Sequence, residues 1–112
     1  MTLDLEHLQD NARRASTLLK AMSNEHRLLI LCQLSKTEKS VGELERLIGL
    51  SQSALSQHLA RLRRDGLVKT RRSAQTIFYS LKGEEANTVI STLYGLYCAP
   101  EVQDNAPQAV NC

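Results

Sequence analysis

The stretch Ser51 to Val68, SQSALSQHLARLRRDGLV, has two faces that call for different neighbours. Leu55, Leu59 and Leu62 recur at helical spacing and mark one side for a core. At about 100° of rotation per residue, the opposite side carries Ser53, Ser56, Gln57, Ala60 and Arg64, with Arg61 and Arg63 at its edges. Serine is a middling helix former, and none of these outward residues is acidic. A merely solvated helix would show Glu and Lys there. A face without carboxylates suits contact with a polyanion, which carboxylates would repel. Ser51 is placed to cap this helix, and Gly66 to end it after Asp65.

Upstream, Ser40 followed by Glu43 has capping-box spacing, so VGELERLIG reads as a short helix stopped near Gly49. Two short amphipathic helices joined by a tight turn form a helix-turn-helix. Before them, residues 4 to 22 read as a first helix with a stripe of Leu5, Leu8, Ala12, Ala15, Leu19 and Met22. Ser23 or Asn24 caps a second helix, NEHRLLILCQL, apolar around most of its circumference and therefore central. SKTEKS reads as a polar loop.

Downstream of Gly66 the period changes. LVKTRR and QTIFYSL are β-prone, with Ile77, Tyr79 and Leu81 alternating, and the intervening RSAQ predicts a hairpin of undefined turn type. Arg71 and Arg72 open the expected tip and Gln75 closes it. A last helix, roughly Gly83 to Cys98, presents Val89, Ile90, Leu93, Leu96 and Tyr97 on one broad face, and Pro100 bars its continuation. The expected fold is mainly α with a small β-hairpin (α+β), a winged helix-turn-helix over residues 1–98. Residues 99–112 read as a flexible tail. The first and last helices are more apolar than one small core consumes, which predicts a homodimer through them.

Composition bounds the function. The chain has 112 residues, enough for one modest core, with 42% hydrophobic and 23% charged residues. The longest strongly apolar run, Leu28 to Cys32, is far too short to span a bilayer, and MTLDLEHLQD lacks the features of a signal peptide. The expected setting is cytoplasmic, with no membrane partner and with reduced thiols. The net charge of +2 hides an asymmetry: residues 1–50 hold seven basic and seven acidic side chains, and residues 51–82 hold seven basic residues against Asp65 alone. Residues 83–112 carry only acidic charges, namely Glu84, Glu85, Glu101 and Asp104. Taken singly, each arginine is an ordinary solvated charge, but together they make an anion-attracting patch beside the acid-free helix face.

Those pieces fit double-stranded DNA. Gln52 and Ser53 lie in the first turn, the end that a recognition helix pushes into a major groove. Glutamine can pair bidentately with adenine, and serine hydroxyls reach base edges or phosphates. Small residues such as Ser56 and Ala60 let the backbone approach. The expected assignment is Gln52, Ser53, Ser56 and Gln57 to bases and Arg61, Arg64, Arg71 and Arg72 to phosphates. His58 falls nearer the leucine side and is expected to be a partly buried hydrogen-bonding residue.

Residues 51–68, with QTIFYSL after them, resemble the signature of the ArsR/SmtB family of winged-helix dimeric repressors, and the likeness runs from LLKAMSNEHRLLILC through GLYC. The family's DNA-reading positions correspond here to Gln52, Ser53, Ser56 and Gln57, with the wing at Arg71 to Gln75. The metal-sensing patterns are missing. The third-helix box needs two cysteines flanking a valine, where this chain has Ser40-Val41-Gly42. The last-helix zinc site needs an Asp-x-His, where it has Gly83-Glu84-Glu85 and no histidine beyond. No metal site and no cofactor are therefore expected.

Taken alone, Cys32 in its apolar run reads as a small buried hydrophobe, and Cys98 closes the last helix. Both sit near helix C-termini, where the dipole disfavours a thiolate. Their placement resembles the reactive-sulfur-sensing branch of the family, the HlyU, BigR and SqrR types. That resemblance implies that Cys32 and Cys98 become linked by a disulfide or polysulfide, that DNA is then released, and that reactive sulfur species are the inducer. Cys112 reads as an incidental thiol. The alternatives are a metal-responsive repressor with cysteine ligands, a winged helix used only for protein contacts, and a thiol enzyme. No histidine or acid lies beside either cysteine at recognisable spacing, so an enzyme is not expected.

Overall fold

The computed structural model describes residues 4–98. The expected tail and Cys112 lie outside the described residues. Helix α1 (Leu5–Met22) starts at Asp4, whose Oδ1 accepts the His7 N–H at 2.8 Å. After Ser23, Asn24 caps α2 (Glu25–Leu34) by accepting the N–H groups of His26 and Arg27 at 2.9 and 3.1 Å. Of the two expected caps, Asn24 is the one used. Both bonds satisfy donors that the first helical turn leaves unpaired.

The capping box at the start of α3 (Val41–Ile48) is fully formed. The Ser40 hydroxyl accepts the Glu43 N–H at 3.2 Å, and the Glu43 carboxylate accepts the Ser40 N–H at 2.8 Å. Helix α4 (Gln52–Arg64) follows, with the Ser51 hydroxyl accepting the Ala54 N–H at 3.1 Å. It ends in a Schellman motif: the Leu67 N–H reaches the Leu62 carbonyl at 2.9 Å, and the Gly66 N–H reaches that of Arg63 at 3.1 Å. That turn places Gly66 at φ 81°, the left-handed region, and delivers buried Leu67 and Val68 to the core.

Strands β2 (Val68–Ser73) and β3 (Thr76–Leu81) form the hairpin. The loop is two residues, because Ser73 pairs with Thr76. Of the two loop residues only Ala74 has a positive φ, at 57°. A type I′ turn needs two such residues, so this turn is not of that type, and alanine holds a position where glycine is usual. The segment read as a polar loop contains a further strand, β1 (Lys39–Ser40), which pairs antiparallel with β3 and makes a sheet of order β1-β3-β2. Two residues cannot show an alternation, so no periodicity announced it. Helix α5 (Glu85–Tyr97) closes the fold, with Cys98 as its C-cap.

The core lies among α2, α4 and the start of the hairpin. Leu55, Leu59 and Leu62 are buried as the spacing predicted, and Ile30 and Leu31 of central α2 are buried with them. Central α2 packs on α1, α3, α4, α5 and β3. The apolar stripes of α1 and α5 are different: Leu5, Leu8 and Leu19 on α1, and Leu96 and Tyr97 on α5, are exposed, and only the ends nearest the core, at Met22 and Ile90, are buried. No helix among the described residues is long and apolar enough to cross a membrane.

Candidate nucleic-acid interface

With Leu55, Leu59 and Leu62 fixed inward, α4 presents its other side to solvent. Gln52, Ser53, Ser56, Gln57 and Ala60 are all exposed, on the side that helical rotation sets opposite the leucines. No acidic residue stands in the first turn, and Arg61, Arg63 and Arg64 fill the last, where cations oppose the negative end of the helix dipole. The N-terminal half of the face is thus neutral and hydrogen-bonding, and the C-terminal half is basic.

The four arginines expected on phosphates are not equivalent. Arg61 donates from Nε to Asp65 Oδ2 at 2.8 Å, and Arg64 reaches the other oxygen of that carboxylate at 3.4 Å. The Arg61 hydrogen bond, reinforced by Arg64, holds the Asp65 carboxyl below its ordinary range. Arg71 donates from Nε and Nη2 to the two oxygens of Glu38, at 2.9 and 2.7 Å, and its Cζ stands 4.7 Å from the centre of the Phe78 ring. Arg72 has neither an ion pair nor a side-chain hydrogen bond among the described residues.

Strand alternation separates these last two. Arg72 shares the face of buried Val68 but lies beyond the core, whereas Arg71 shares the opposite face with its cross-strand partner Phe78. Both lie within β2; the tip itself is Ala74–Gln75.

Behind the recognition face, His58 is half-buried, as expected, but its neighbour is another ring. The His26 imidazole lies 5.7 Å away, centre to centre, and no side-chain hydrogen bond reaches His58 among the described residues. Burial first, then the charges of Arg27 and His26, pushes His58 below its ordinary pKa. Arg27 was not singled out from the sequence. It donates to the Ala21 carbonyl at 2.6 Å and to that of Lys20 at 3.3 Å, satisfying the C-terminal end of α1. Its only sequence signal was a basic residue just after a helix boundary.

Cys32, on α2, is a half-buried free thiol whose pKa burial raises against the opposing pull of Lys36. Its environment therefore does not favour a thiolate. Cys98 ends α5, its N–H bonded to the Tyr94 carbonyl at 2.8 Å, and its sulfur is disulfide-bonded, whereas Cys32 is not. The structure thus contains no bridge between Cys32 and Cys98, although the helices that carry them pack together. Among the described residues, no group of three or more His, Cys, Asp or Glu side chains is arranged to hold a metal ion.

Comparison with known proteins matches this arrangement to a lineage. The family model described as "Bacterial regulatory protein, arsR family" matches residues 24–70, from the cap of α2 into β2. The chain is 56% identical to the transcriptional activator HlyU of Vibrio cholerae, covering 86% of this chain and 89% of that one. It is 43% identical to the biofilm growth-associated repressor of Xylella fastidiosa, over 88% and 86% of the two chains. Among solved structures, reduced HlyU from V. cholerae superposes with a TM-score of 0.81 at 57% identity, covering 85% of this chain and all of that one. An identity this high over nearly the whole fold, with an exposed recognition helix and a wing in place, shows that the chain belongs to the arsR family of bacterial regulatory proteins, in its HlyU and BigR branch.

Proposed function

We propose that the chain is a homodimeric repressor that binds an operator through α4 and the wing and releases it when Cys32 and Cys98 become bridged. The observation that carries the DNA reading is the exposed, acid-free edge from Gln52 to Gln57, running into the arginines at the end of α4. Gln52, Ser53, Ser56 and Gln57 read bases in a major groove, and Arg61, Arg64, Arg71 and Arg72 hold phosphates. Two copies joined through the exposed stripes of α1 and α5 present two such helices to half-sites about one helical turn, or a multiple of it, apart.

The switch reading is supported by the packing of α2 on α5, which brings the elements bearing Cys32 and Cys98 together. It starts from the fully reduced protein. Each thiol takes one sulfane sulfur from a low-molecular-weight persulfide, releasing that carrier as its thiol. The two protein persulfides then condense to a trisulfide, with loss of one hydrogen sulfide. A direct disulfide needs Cα atoms within about 7 Å, and each added sulfur extends the reach by one bond of about 2 Å. Because α5 also carries dimer surface, tying it to α2 favours a different spacing of the two recognition helices.

The test is fluorescence anisotropy on a labelled duplex, with reduced wild type, Cys32→Ser and Cys98→Ser, each with and without an organic persulfide. All three are expected to bind DNA, and only wild type is expected to release it. A serine variant that still responds, or persulfide chemistry confined to Cys112 by mass spectrometry, refutes the switch. Absence of any salt-dependent duplex binding refutes the DNA reading itself.

A further inference from the structure

We infer that the Glu38 carboxylate occupies the seat of a DNA phosphate on the wing arginine Arg71, and so sets how much of the wing's charge reaches the duplex. The inference rests on the DNA reading of α4 and the wing. By sequence alone, residues 51–82 contain a single acid, Asp65. The fold brings a second one to the wing from 33 residues away. Glu38 immediately precedes β1, whose Lys39 and Ser40 are paired with Tyr79 and Phe78 of β3, so the sheet ladder itself places the carboxylate beside the wing.

The contact has the form that phosphate recognition takes. Both oxygens of Glu38 receive parallel N–H bonds from one guanidinium, at 2.9 and 2.7 Å, the fork geometry that arginine offers equally to carboxylate and phosphate. The Phe78 ring under Cζ holds the guanidinium in that plane. Lys69, on the same face of β2 as Arg71, adds its field at Glu38, so the carboxylate answers two wing cations. The pair is open to exchange, because the side chains of Glu38 and Arg71 keep 34% and 54% of their exposure.

A phosphate arriving at Arg71 therefore replaces a partner instead of gaining a free cation, and the net attraction there is small. Arg72, one residue on and without an ion pair among the described residues, contributes more of its charge. Glu38 lowers the sequence-blind part of the affinity, since phosphate contacts carry no base information.

The test is a cycle of wild type, Glu38→Gln, Arg71→Gln and the double variant, with Glu84→Gln as a control for net charge. Binding is measured across a salt series on a duplex selected from a random library by the wild-type protein, and on a scrambled duplex of equal length. Thermal melts verify folding. Glu38→Gln is expected to tighten binding about two- to fivefold on both duplexes, the scale of one exposed ion pair. It is also expected to steepen the slope of log K against log salt by about 0.9, the increment for one added phosphate contact. In the Arg71→Gln background the same change is expected to do nothing, since the effect runs through that arginine. Equal tightening in both backgrounds, or tightening matched by Glu84→Gln, would assign it to net charge and overturn the inference. Unchanged or weakened binding by Glu38→Gln overturns it too, leaving Glu38 as a brace for the wing. Those results leave the DNA reading standing; a wild type with no affinity for either duplex removes both.

Discussion

Gly66 shows what a single residue contributes to the recognition helix. At φ 81° it turns the chain from Arg64 to Val68, and a Cβ there would meet nothing within 4 Å. Replacement by alanine is therefore purely a backbone matter. Gly66→Ala is expected to lower stability by about 1 kcal/mol, the cost of a left-handed alanine, in urea unfolding with an unchanged m-value. His58 has a different signature. The folded chain holds it below its ordinary 6.5, whereas the unfolded chain does not, so the unfolded chain binds more protons in between. Stability contributed at this site is present above 6.5 and is lost as the pH falls towards the folded value. Melting temperatures of wild type should accordingly fall on acidification from about pH 7 to 5, and His58→Gln should flatten that slope. Residue-scale features bound by local rules were legible in the sequence: Ser40 with Glu43, Ser51 before α4, and Gly66 after it. The Glu38–Arg71 pair was not, because its partners meet only when β1 joins the sheet.

At the scale of elements, the helix-turn-helix follows directly from two amphipathic periods and their caps, whereas the sheet does so only in part. The hairpin was visible in the alternation of Ile77, Tyr79 and Leu81, but β1 is two residues long and owes its existence to β3 alone. The hairpin turn was obscure for a related reason. Its strained position is held by Ala74, a residue that does not advertise a positive φ. Ala74→Gly should relieve that strain, a left-handed penalty of about 1–2 kcal/mol offset in part by glycine's greater unfolded freedom. A gain of about 0.5–1 kcal/mol is expected in denaturant melts, without loss of duplex affinity. The recognition face was readable as a pattern, because helical rotation fixes which residues share a side. Which arginines of that face and of the wing are engaged was not readable, since Asp65 and Glu38 select among them from outside that pattern.

For the molecule as a whole, the stripes of α1 and α5 were legible as surplus, and in the structure they remain uncovered by their own chain. Leu8 is 48% exposed, Leu96 68% and Tyr97 81%, more apolar surface than a solitary protomer usually shows. Joining two copies through these stripes predicts that Leu8→Glu with Leu96→Glu yields a monomer in analytical ultracentrifugation. That monomer should also lose most of its duplex affinity, because a single recognition helix reads only half a site. A double variant that sediments as wild type does would refute the joint.

Residues 5 to 17 of α1 are exposed throughout, so more than half of this 18-residue helix has little tertiary support from its own protomer. Lone helices of about 12–15 residues are marginal in water. If a second subunit supplies the missing contacts, the order of α1 becomes a matter of mass action. Dilution then frays it from its amino end, and the midpoint of thermal melting climbs with the logarithm of protein concentration. Cellular abundance would thereby tune the fraction of chains competent to act, before any inducer arrives.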